Sequence, residues 1–568
     1  MKMNKNWMSI ILCACLLVSV IPITGLAYAN NDSAESIKSL AESSIEGKDN
    51  IVLTVGIGSG NGELKYSDTM QGAGEGPEAF TVTDDETIYI VDNINKRVNV
   101  YKGGKFLYDI ATPYTIYVRS IVVSQELIYL MDYDAGKIYA LDAKGDVAKE
   151  VTIPENMESY LMRKLYVRDD DSVWLYYENK TSGNSNRGVD HSYLVDDLVD
   201  GKASSIEGFT KDGNDTHSIV ERDLHSASVG TYKTNDSLKS SSESNIQIAT
   251  NEFLADIKIL DVDKNDCVFV DVFEMVDTSV IAGEYTVRKY SNGKCEGIAP
   301  VDLGGYYFMP NNVLEVSEAG DLYQIKCYAN KVQIIKKAFV NIDNFKSNID
   351  SIKKAALALE AESSDVATKA ITANAPNDMS TTMDKAIDCC LLSWSYKSTN
   401  ASNPDSSKVT TPDYLVSASK PSDQKGIPYC WGGFDGLSTS SSSSWSSFSD
   451  AMSKNKFAGN VNTSTTGYQS GTAGFDCSGF VASTAGFSSK LSTTNLASSD
   501  YTKSISSSSR SLYDMYVKSG THVLYYVGTT TDGISSREAT TTGDDKTKLY
   551  TRSTTWLSGY SLRRFNGW

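Results

Sequence analysis

The N-terminal half of the chain alternates short apolar blocks with polar turns in a repeating pattern. Strand-like cores at Ile88–Asp92 and Ile128–Asp132 lie about 40 residues apart, and a turn and a second apolar run follow each one. The series continues, with one double gap, at Val173–Tyr176, Val268–Val270 and Leu322–Ile325. Four-stranded blades around an axis have this period, so we predict that residues 51–340 form an all-β propeller of about six blades.

The segment from Phe80 to Val98, FTVTDDETIYIVDNINKRV, resembles an NHL-type β-propeller repeat. A strand-rich sandwich is the alternative architecture for this region. Propellers commonly bind something at one face, so we expect a ligand whose identity is unknown. A purely structural spacer is the other interpretation, and the sequence does not choose between the two.

Residues 1–29 have the pattern of a secretory signal. Two lysines precede an apolar run, Met8–Ile23, and the small-residue pattern Ala27-Tyr28-Ala29 marks a cleavage site. A lipoprotein signal ending at Cys15 is the weaker alternative, because the apolar stretch before that cysteine is short. We therefore expect a secreted protein, extracellular or cell-wall associated. No later apolar run approaches the ~18 residues of a membrane span, so no transmembrane segment is predicted in the mature chain.

The remaining boundaries follow from changes in pattern. Residues 30–50 form a lead-in to the propeller, and a helical linker is predicted at 341–379. Apolar residues at helical spacing in Ile349–Leu359 indicate the linker helix. The segment Met383–Trp394 predicts the first helix of a C-terminal domain at residues 380–568.

Charge is unevenly distributed along the chain. It carries 71 acidic and 53 basic side chains, a net charge of −18, yet residues 401–568 hold slightly more basic than acidic groups. The acidity therefore lies in the propeller region and argues against nucleic-acid binding. The segment Asp261–Asn265 is interpreted as a blade turn, because a calcium loop would need a glycine and a glutamate that are absent. Three histidines lack metal-ligand spacing and are predicted to be surface residues, namely His191, His217 and His225. We expect no metal or cofactor.

The C-terminal domain carries a cysteine in the setting of a nucleophile. The motif DCSGFV at residues 476–481 predicts a turn that runs into an apolar helix, with the Cys477 sulfur at the helix N-terminus. Unpaired N–H groups and the helix dipole favour negative charge there, so we expect a lowered pKa for this thiol. A small core residue is the competing interpretation. Cys430 is a rival nucleophile, but its segment lacks a helix start.

His522 is the natural proton partner for Cys477, because the other three of the chain's 4 histidines lie at or before residue 225. The run HVLYYV predicts a buried strand that begins at His522. Glu538 follows across a loop that fits a hairpin return, and its carboxylate would orient the imidazole and stabilise the imidazolium. A structural histidine is the alternative, and spacing alone leaves both open.

Four motifs occur in order within residues 380–568: GIPYCWGG at 426–433, TAGFDCSGFV at 472–481, HVLYYVG at 522–528 and REAT at 537–540. This series resembles the NlpC-type cell-wall cysteine peptidases, a papain-like family. The resemblance implies an α+β papain-like domain. Together with the propeller, it makes the predicted fold class multi-domain.

The resemblance also implies roles for individual residues. Cys477 would be the nucleophile, His522 the base and Glu538 the third polar residue. Substrate binding would fall to Tyr429, Asp476 and Ser478. The implied activity is hydrolysis of peptidoglycan stem peptides, commonly between γ-D-glutamyl and a diamino acid. Tyr513 stands where the family usually has glycine, which favours the alternative of a ligand-binding or assembly propeller with a degenerate, inactive hydrolase domain.

Overall fold

The computed structural model describes residues 49–66, 76–113, 117–133, 135–154, 157, 162–177, 190–198, 205–223, 225–233, 244–278, 281–303, 306–310, 312–365, 373–465, 467–529, 533–554 and 556–568. The predicted signal at 1–29 and nearly all of the predicted lead-in at 30–50 lie outside this range. Strands predominate in the described residues, and the helices are few. None of the described helices combines the length and the apolar character that crossing a membrane requires.

Six antiparallel sheets follow one another along residues 50–336. Their strands are β1 (Asn50–Gly56), β2 (Phe80–Val82), β3 (Ile88–Asp92), β4 (Arg97–Lys102), β5 (Lys105–Ala111), β6 (Val118–Ser124), β7 (Leu127–Asp132), β8 (Lys137–Leu141), β9 (Val147–Thr152), β10 (Met162–Val167), β11 (Val173–Tyr177), β12 (His191–Leu194), β13 (Ser205–Glu207), β14 (Asp215–Arg222), β15 (Ser226–Lys233), β16 (Ser244–Ala249), β17 (Phe253–Val262), β18 (Val268–Met275), β19 (Gly283–Ser291), β20 (Lys294–Val301), β21 (Leu314–Val316), β22 (Leu322–Tyr328) and β23 (Lys331–Lys336). One short helix, α1 (Val195–Leu198), follows β12. The first five sheets are β2–β5, β6–β9, β10–β13, β14–β16 and β17–β20.

The sixth sheet joins both ends of this region. Strand β1 pairs antiparallel with β23, which gives the order β1-β23-β22-β21, whereas the other sheets keep chain order. The first strands of neighbouring sheets touch one another: β2 contacts β6 and β21, β6 contacts β10, and β17 contacts β14 and β21. A ring of sheets closed in this way is a β-propeller, so the predicted all-β architecture and its six units are confirmed.

The apolar cores found in the sequence are the second strands of five sheets. Each of these strands contains an aliphatic side chain with no exposed surface, namely Ile90, Leu130, Leu175, Val270 and Ile325. The double gap in the series is filled by the fourth sheet, whose strands β14–β16 lie among the described residues. Its second strand, SASVGTYK, has few large apolar residues and therefore gave no repeat signal.

Of two predictions about polar residues of the propeller, one is confirmed and the other is wrong. The Asp261–Asn265 segment leads into the turn between β17 and β18, where Asp263 Oδ1 accepts hydrogen bonds from the N–H groups of Asn265 (2.9 Å) and Cys267 (3.0 Å). It is a blade turn, as predicted. His217 is only 2% exposed, so its surface assignment was wrong. It lies on β14, and its imidazole nitrogens contact Thr231 (3.1 Å) and Asp266 (3.2 Å).

The remainder of the described chain combines short helices with a second set of sheets. The helices are α2 (Ile349–Asp365), α3 (Met379–Leu391), α4 (Asp413–Val416), α5 (Phe448–Ser453), α6 (Cys477–Thr484) and α7 (Thr493–Ala497). The strands are β24 (Ser393–Tyr396), β25 (Ser422–Lys425), β26 (Phe457–Ala458), β27 (Thr472–Ala473), β28 (Thr502–Ser504), β29 (Met515–Lys518), β30 (His522–Thr529), β31 (Gly533–Ala539), β32 (Thr547–Ser553) and β33 (Ser561–Phe565). Six of them form one antiparallel sheet in the order β28-β33-β29-β30-β31-β32.

Helix α3 is displaced from the predicted Met383–Trp394. It begins earlier because the Asp378 side chain accepts a hydrogen bond from the Thr381 N–H and caps its N-terminus. It ends at Leu391, and Trp394 lies on β24. The predicted linker helix is present as α2, whose Ile349, Ile352 and Ala356 pack against Val276 beside the propeller.

The propeller and the second set of sheets share one hydrophobic core. Tyr516, Leu524 and Trp556 belong to the same buried cluster as Phe273 and Ile281 of the propeller. Polar contacts cross the same boundary. The Ile281 N–H donates to the Tyr560 carbonyl (3.1 Å), and the Tyr133 hydroxyl donates to Thr551 Oγ1 (3.0 Å). The strands β30–β33 are therefore fixed against the propeller.

Candidate functional site

Helix α6 begins at Cys477, as the sequence predicted. Asp476 caps the helix, because its Oδ1 accepts a hydrogen bond from the Gly479 N–H at 2.8 Å. The loop at 432–433 crosses this first turn so closely that a Cβ on Gly479 would lie 2.2 Å from the Gly433 carbonyl oxygen. The glycines of the two motifs thus allow the loop to approach the helix start.

Asp476 also links the helix start to the neighbouring loop and to a lysine. Its Oδ2 accepts a hydrogen bond from the Gly432 N–H (3.0 Å) and pairs with Lys490 (2.8 Å). Ser478 Oγ donates to Oδ1 (3.1 Å). Asp476 and Ser478 are both buried, and these contacts position the helix start and the loop. The substrate-binding roles of the two residues stay predictions.

The Cys477 thiol is only 4% exposed. Burial raises its pKa to about 12, and the neighbouring Asp476 charge raises it further, against the lowering effects of Lys490 and of the Val523 N–H. The expectation of a lowered pKa was wrong. A helix N-terminus contributes about 0.3–1 kcal/mol, whereas full burial can shift a pKa by about 3–5 units, at about 1.36 kcal/mol per unit.

His522 and Glu538 form a buried pair on adjacent strands. His522 begins β30, Glu538 lies near the end of β31, and Nε2 is 2.7 Å from Oε2. Neither side chain has exposed surface. The two strands and the contact between the side chains agree with the sequence prediction.

Arg552 on β32 holds the carboxylate from the other side. Its Nε donates to Glu538 Oε1 (3.0 Å) and its Nη2 donates to Oε2 (2.9 Å), while Ser536 Oγ donates to Oε1 (2.7 Å). Burial alone would raise the pKa of Glu538, but the Arg552 charge and the hydrogen bond with His522 lower it well below its usual range. The carboxylate is therefore charged and orients the imidazole through Nε2.

The second imidazole nitrogen, His522 Nδ1, is buried and has no hydrogen-bond partner among the described residues. The Cys477 sulfur lies close enough to the N–H of Val523, the next residue along β30, for that N–H to lower its pKa. The structure thus brings the sulfur to the start of the strand that carries the imidazole. No hydrogen bond joins the sulfur to Nδ1 in this arrangement.

Two aromatic residues cover this corner. The Trp556 ring lies edge-on to the imidazole, with centroids 6.2 Å apart, and stacks on Tyr560 at 5.1 Å. Burial raises the pKa of Tyr560. Arg552 lowers this pKa, whereas Glu538 and Cys477 raise it, so the Tyr560 hydroxyl lies within electrostatic range of all three residues. Trp556 and Tyr560 also belong to the core shared with the propeller. The side chains of the site are closed off from solvent.

Tyr429 and Cys430 lie on the loop that crosses α6. Tyr429 is fully buried, and its hydroxyl has no hydrogen-bond partner within the described part of the chain. Burial raises its pKa, and Cys477 and Asp476 raise it further, which places the hydroxyl near both. Cys430 instead contacts Thr472 Oγ1 at 3.2 Å, and burial raises the pKa of its thiol well above normal.

The sequence prediction missed Arg552, Trp556 and Tyr560. A single arginine in the strand TKLYTRS carries no motif, and its burial follows from pairing with β31. Tyr513 was identified as a departure from the expected glycine. Its φ of +66° lies in the left-handed region that favours glycine, and its buried ring packs on Tyr525 at 5.3 Å.

The described residues contain no group of three or more His, Cys, Asp or Glu side chains arranged to hold a metal ion. The seven cysteines among them are free thiols.

No family model matches the chain, and no curated protein matches it either. Solved structures similar to about half of the chain include Kuenenia stuttgartiensis hydrazine synthase, at 12% identity and a TM-score of 0.29 over 45% of this chain and 74% of that one. A catalytically inactive virginiamycin B lyase from Staphylococcus aureus with quinupristin is 12% identical, with a TM-score of 0.28 over 48% and 96% of the two chains. A DUF4221 family member from Bacteroides vulgatus is 7% identical, with a TM-score of 0.31 over 52% and 98%. The order of the sheets identifies the propeller, and these similarities say nothing about the activity of the chain.

Proposed function

We propose that the chain is a secreted hydrolase that cleaves amide bonds in peptidoglycan stem peptides, with a papain-like, NlpC-type domain at residues 380–568. The single observation that supports it most is the His522–Glu538 pair, in which Nε2 and Oε2 lie 2.7 Å apart and Arg552 bonds to the carboxylate. The pair lies on the strands next to the helix that begins with Cys477. A nucleophile, a base and a group that orients the base are the three requirements of cysteine-dependent acyl transfer. The bond between γ-D-glutamyl and a diamino acid is the proposed target.

In the proposed reaction, the Cys477 sulfur attacks the amide carbonyl as its proton passes to His522 Nδ1. The carbonyl oxygen becomes an oxyanion, and N–H groups at the start of α6 would stabilise it. The C–N bond then breaks, and the imidazolium gives its proton to the leaving amine. Water attacks the resulting thioester with His522 as base, which releases the acid and restores the thiol.

The raised pKa of the thiol determines how the first step begins. Cys477 enters the reaction neutral, so His522 must remove its proton during attack rather than before it. Glu538, which is held charged, stabilises the imidazolium that forms. Substrate binding would also have to move Trp556 and Tyr560, because both pack over this corner.

A ligand-binding propeller with an inactive hydrolase domain is the second candidate. Two observations favour it: the Cys477 thiol is buried with a raised pKa, and no hydrogen bond joins it to His522. In that case the C-terminal domain would serve only to cover one face of the propeller.

Digestion of purified muropeptides, with products identified by mass, separates the two candidates. The wild-type protein should release fragments that Cys477→Ala does not, and Cys430→Ala should retain most of the activity because that thiol faces Thr472. The hydrolase proposal fails if wild type and Cys477→Ala give the same products. Equal loss in both cysteine variants would indicate damage to the loop rather than loss of the nucleophile.

A further inference from the structure

A cavity lies at the end of the propeller axis that faces β32. It is lined by the first strands of three sheets, through Arg119 on β6, Lys164 on β10 and Lys258 on β17. Thr551 and Ser553 of β32 form the opposite wall. Lys164 also lines a second cavity among the same inner strands, so the two cavities follow one another along the axis. The space inside the first cavity that a water-sized molecule can enter is ≈ 70 Å³, enough for a small polar group such as a carboxylate.

Arg119 is the unusual residue of this wall. Its guanidinium is only 8% exposed and lies between two rings, 4.3 Å from the centroid of Tyr133 and 4.5 Å from that of Tyr550. The rings stabilise the cation, but Nε and Nη2 have no hydrogen-bond partner among the described residues. Buried donors left unpaired cost about 1–3 kcal/mol each, so such an edge indicates a missing acceptor.

The geometry of the unpaired atoms defines the acceptor. Nε and Nη2 form one edge of the guanidinium, with two parallel N–H bonds that match the two oxygens of a carboxylate. The same protein shows this contact at Arg552, whose Nε and Nη2 hold the two oxygens of Glu538 at 3.0 and 2.9 Å. At Arg119 the equivalent edge is buried and meets no acceptor among the described residues, and Arg119 is part of the cavity wall.

The charge of the cavity also favours an anion. Among the described residues that line it, four side chains are basic and one, Asp190, is a carboxylate, although the domain as a whole is acidic. Lys164 is partly neutralised by Asp261 at 2.7 Å, and Lys258 by Asp271 at 3.2 Å. Glu78 lies within electrostatic range of the Arg119 charge, but its Oε1 accepts a hydrogen bond from the Tyr117 hydroxyl (2.7 Å).

We propose that this axial cavity binds the carboxylate group of a small organic acid or peptide, with Arg119 donating from Nε and Nη2. The lysine ammonium groups add attraction without fixing orientation, whereas the planar guanidinium selects a planar acceptor. The site lies in the propeller wall and does not require the C-terminal domain to be a hydrolase.

Calorimetric titration of the full mature chain with glutarate tests the proposal, with glutaramide as the uncharged counterpart. Glutarate should bind and glutaramide should not. Arg119→Lys, which keeps the charge but loses the planar fork, should weaken glutarate binding by about tenfold or more, and Arg119→Gln should weaken it further. Arg168→Gln is the matched control, because Arg168 also lies over a ring, Trp174 at 5.0 Å, but does not line this cavity.

Asn312→Leu provides a second variant, in case loss of Arg119 impairs folding. Asn312 lines the same cavity, so a bulkier apolar side chain should weaken glutarate binding while Arg119 stays in place. Absence of glutarate binding to the wild type would overturn the proposal and indicate water only. Equal affinity for inorganic phosphate, or equal binding by wild type and Arg119→Gln, would overturn it too. Cys477→Ala should bind glutarate like the wild type, which separates this result from the test of hydrolysis.

Discussion

Replacing Arg552 by methionine should strongly destabilise the protein. The substitution removes the hydrogen bonds at 3.0 and 2.9 Å to Glu538 and leaves a buried carboxylate with His522 and Ser536. Removal of one partner from a buried ion pair costs about 3–5 kcal/mol. Arg552 also lies 4.1 Å from the ring centroid of Trp556, but methionine replaces part of that apolar contact. We therefore expect a loss of about 3–5 kcal/mol in the free energy of unfolding near neutral pH.

The substitution should also reverse one contribution to the pH dependence of stability. In the wild type the folded-state pKa of Glu538 is depressed, so its stabilisation is present above the ordinary value of 4.5 and is lost as the pH falls. Burial is already the largest single influence on this pKa, and without the opposing Arg552 charge it should raise the pKa above the ordinary value. Glu538 in the variant then favours folding at low pH, and this favourable contribution is lost as the pH rises through the raised pKa.

Urea unfolding from about pH 3 to about pH 8 measures both effects. A double-mutant cycle with Glu538→Gln isolates the pair, and its coupling should exceed about 2 kcal/mol. Arg563→Met is the control, because Arg563 is also buried but bonds to neutral groups, including Thr502 Oγ1 at 2.9 Å. A cost for Arg552→Met below about 1 kcal/mol, with negligible coupling, would refute the reasoning.

Two further predictions concern protons in buried sites. Burial raises the pKa of Glu315 to about 7 from its ordinary 4.5, aided by Asp261 and opposed by Lys164. The folded state then keeps a proton that the unfolded state releases, so stability should fall by about 3 kcal/mol between about pH 4.5 and pH 7, and Glu315→Gln should remove this slope in urea unfolding. The raised pKa of Cys477 predicts slower alkylation by iodoacetamide at neutral pH than free glutathione shows, followed by mass spectrometry. Faster labelling of Cys477 would contradict the buried, neutral thiol.

The repeat of the propeller could be predicted because its signal is local. Each strongly apolar second strand carries a buried aliphatic such as Ile90 or Leu130, and these recur at blade spacing. The fourth sheet escaped because β15 is mostly small and polar. His217 was misjudged for the same reason, since its burial depends on that sheet being present.

The elements of the candidate site were also predictable from local sequence, but its environment was not. The cap at Asp476, the helix from Cys477 and the strand from His522 follow from motif and pattern. The position of Arg552 depends on strand pairing, and Trp556 and Tyr560 are buried against the propeller. These non-local contacts reversed the expected shift of the Cys477 pKa, because the effect of burial outweighs that of the helix N-terminus.

The pairing of β1 with β23 affects how the protein completes folding. Because the first strand of the ring is hydrogen-bonded to the last, a growing chain cannot form the sixth sheet until nearly the whole propeller has been synthesised. Until β1 pairs with β23, each of the two strands presents an unpaired edge, and such edges are prone to aggregation. If the chain is exported, the pairing of β1 with β23 would form after translocation. A chain that has only partly crossed the membrane would then depend on chaperones to keep these two strand edges from pairing with other molecules.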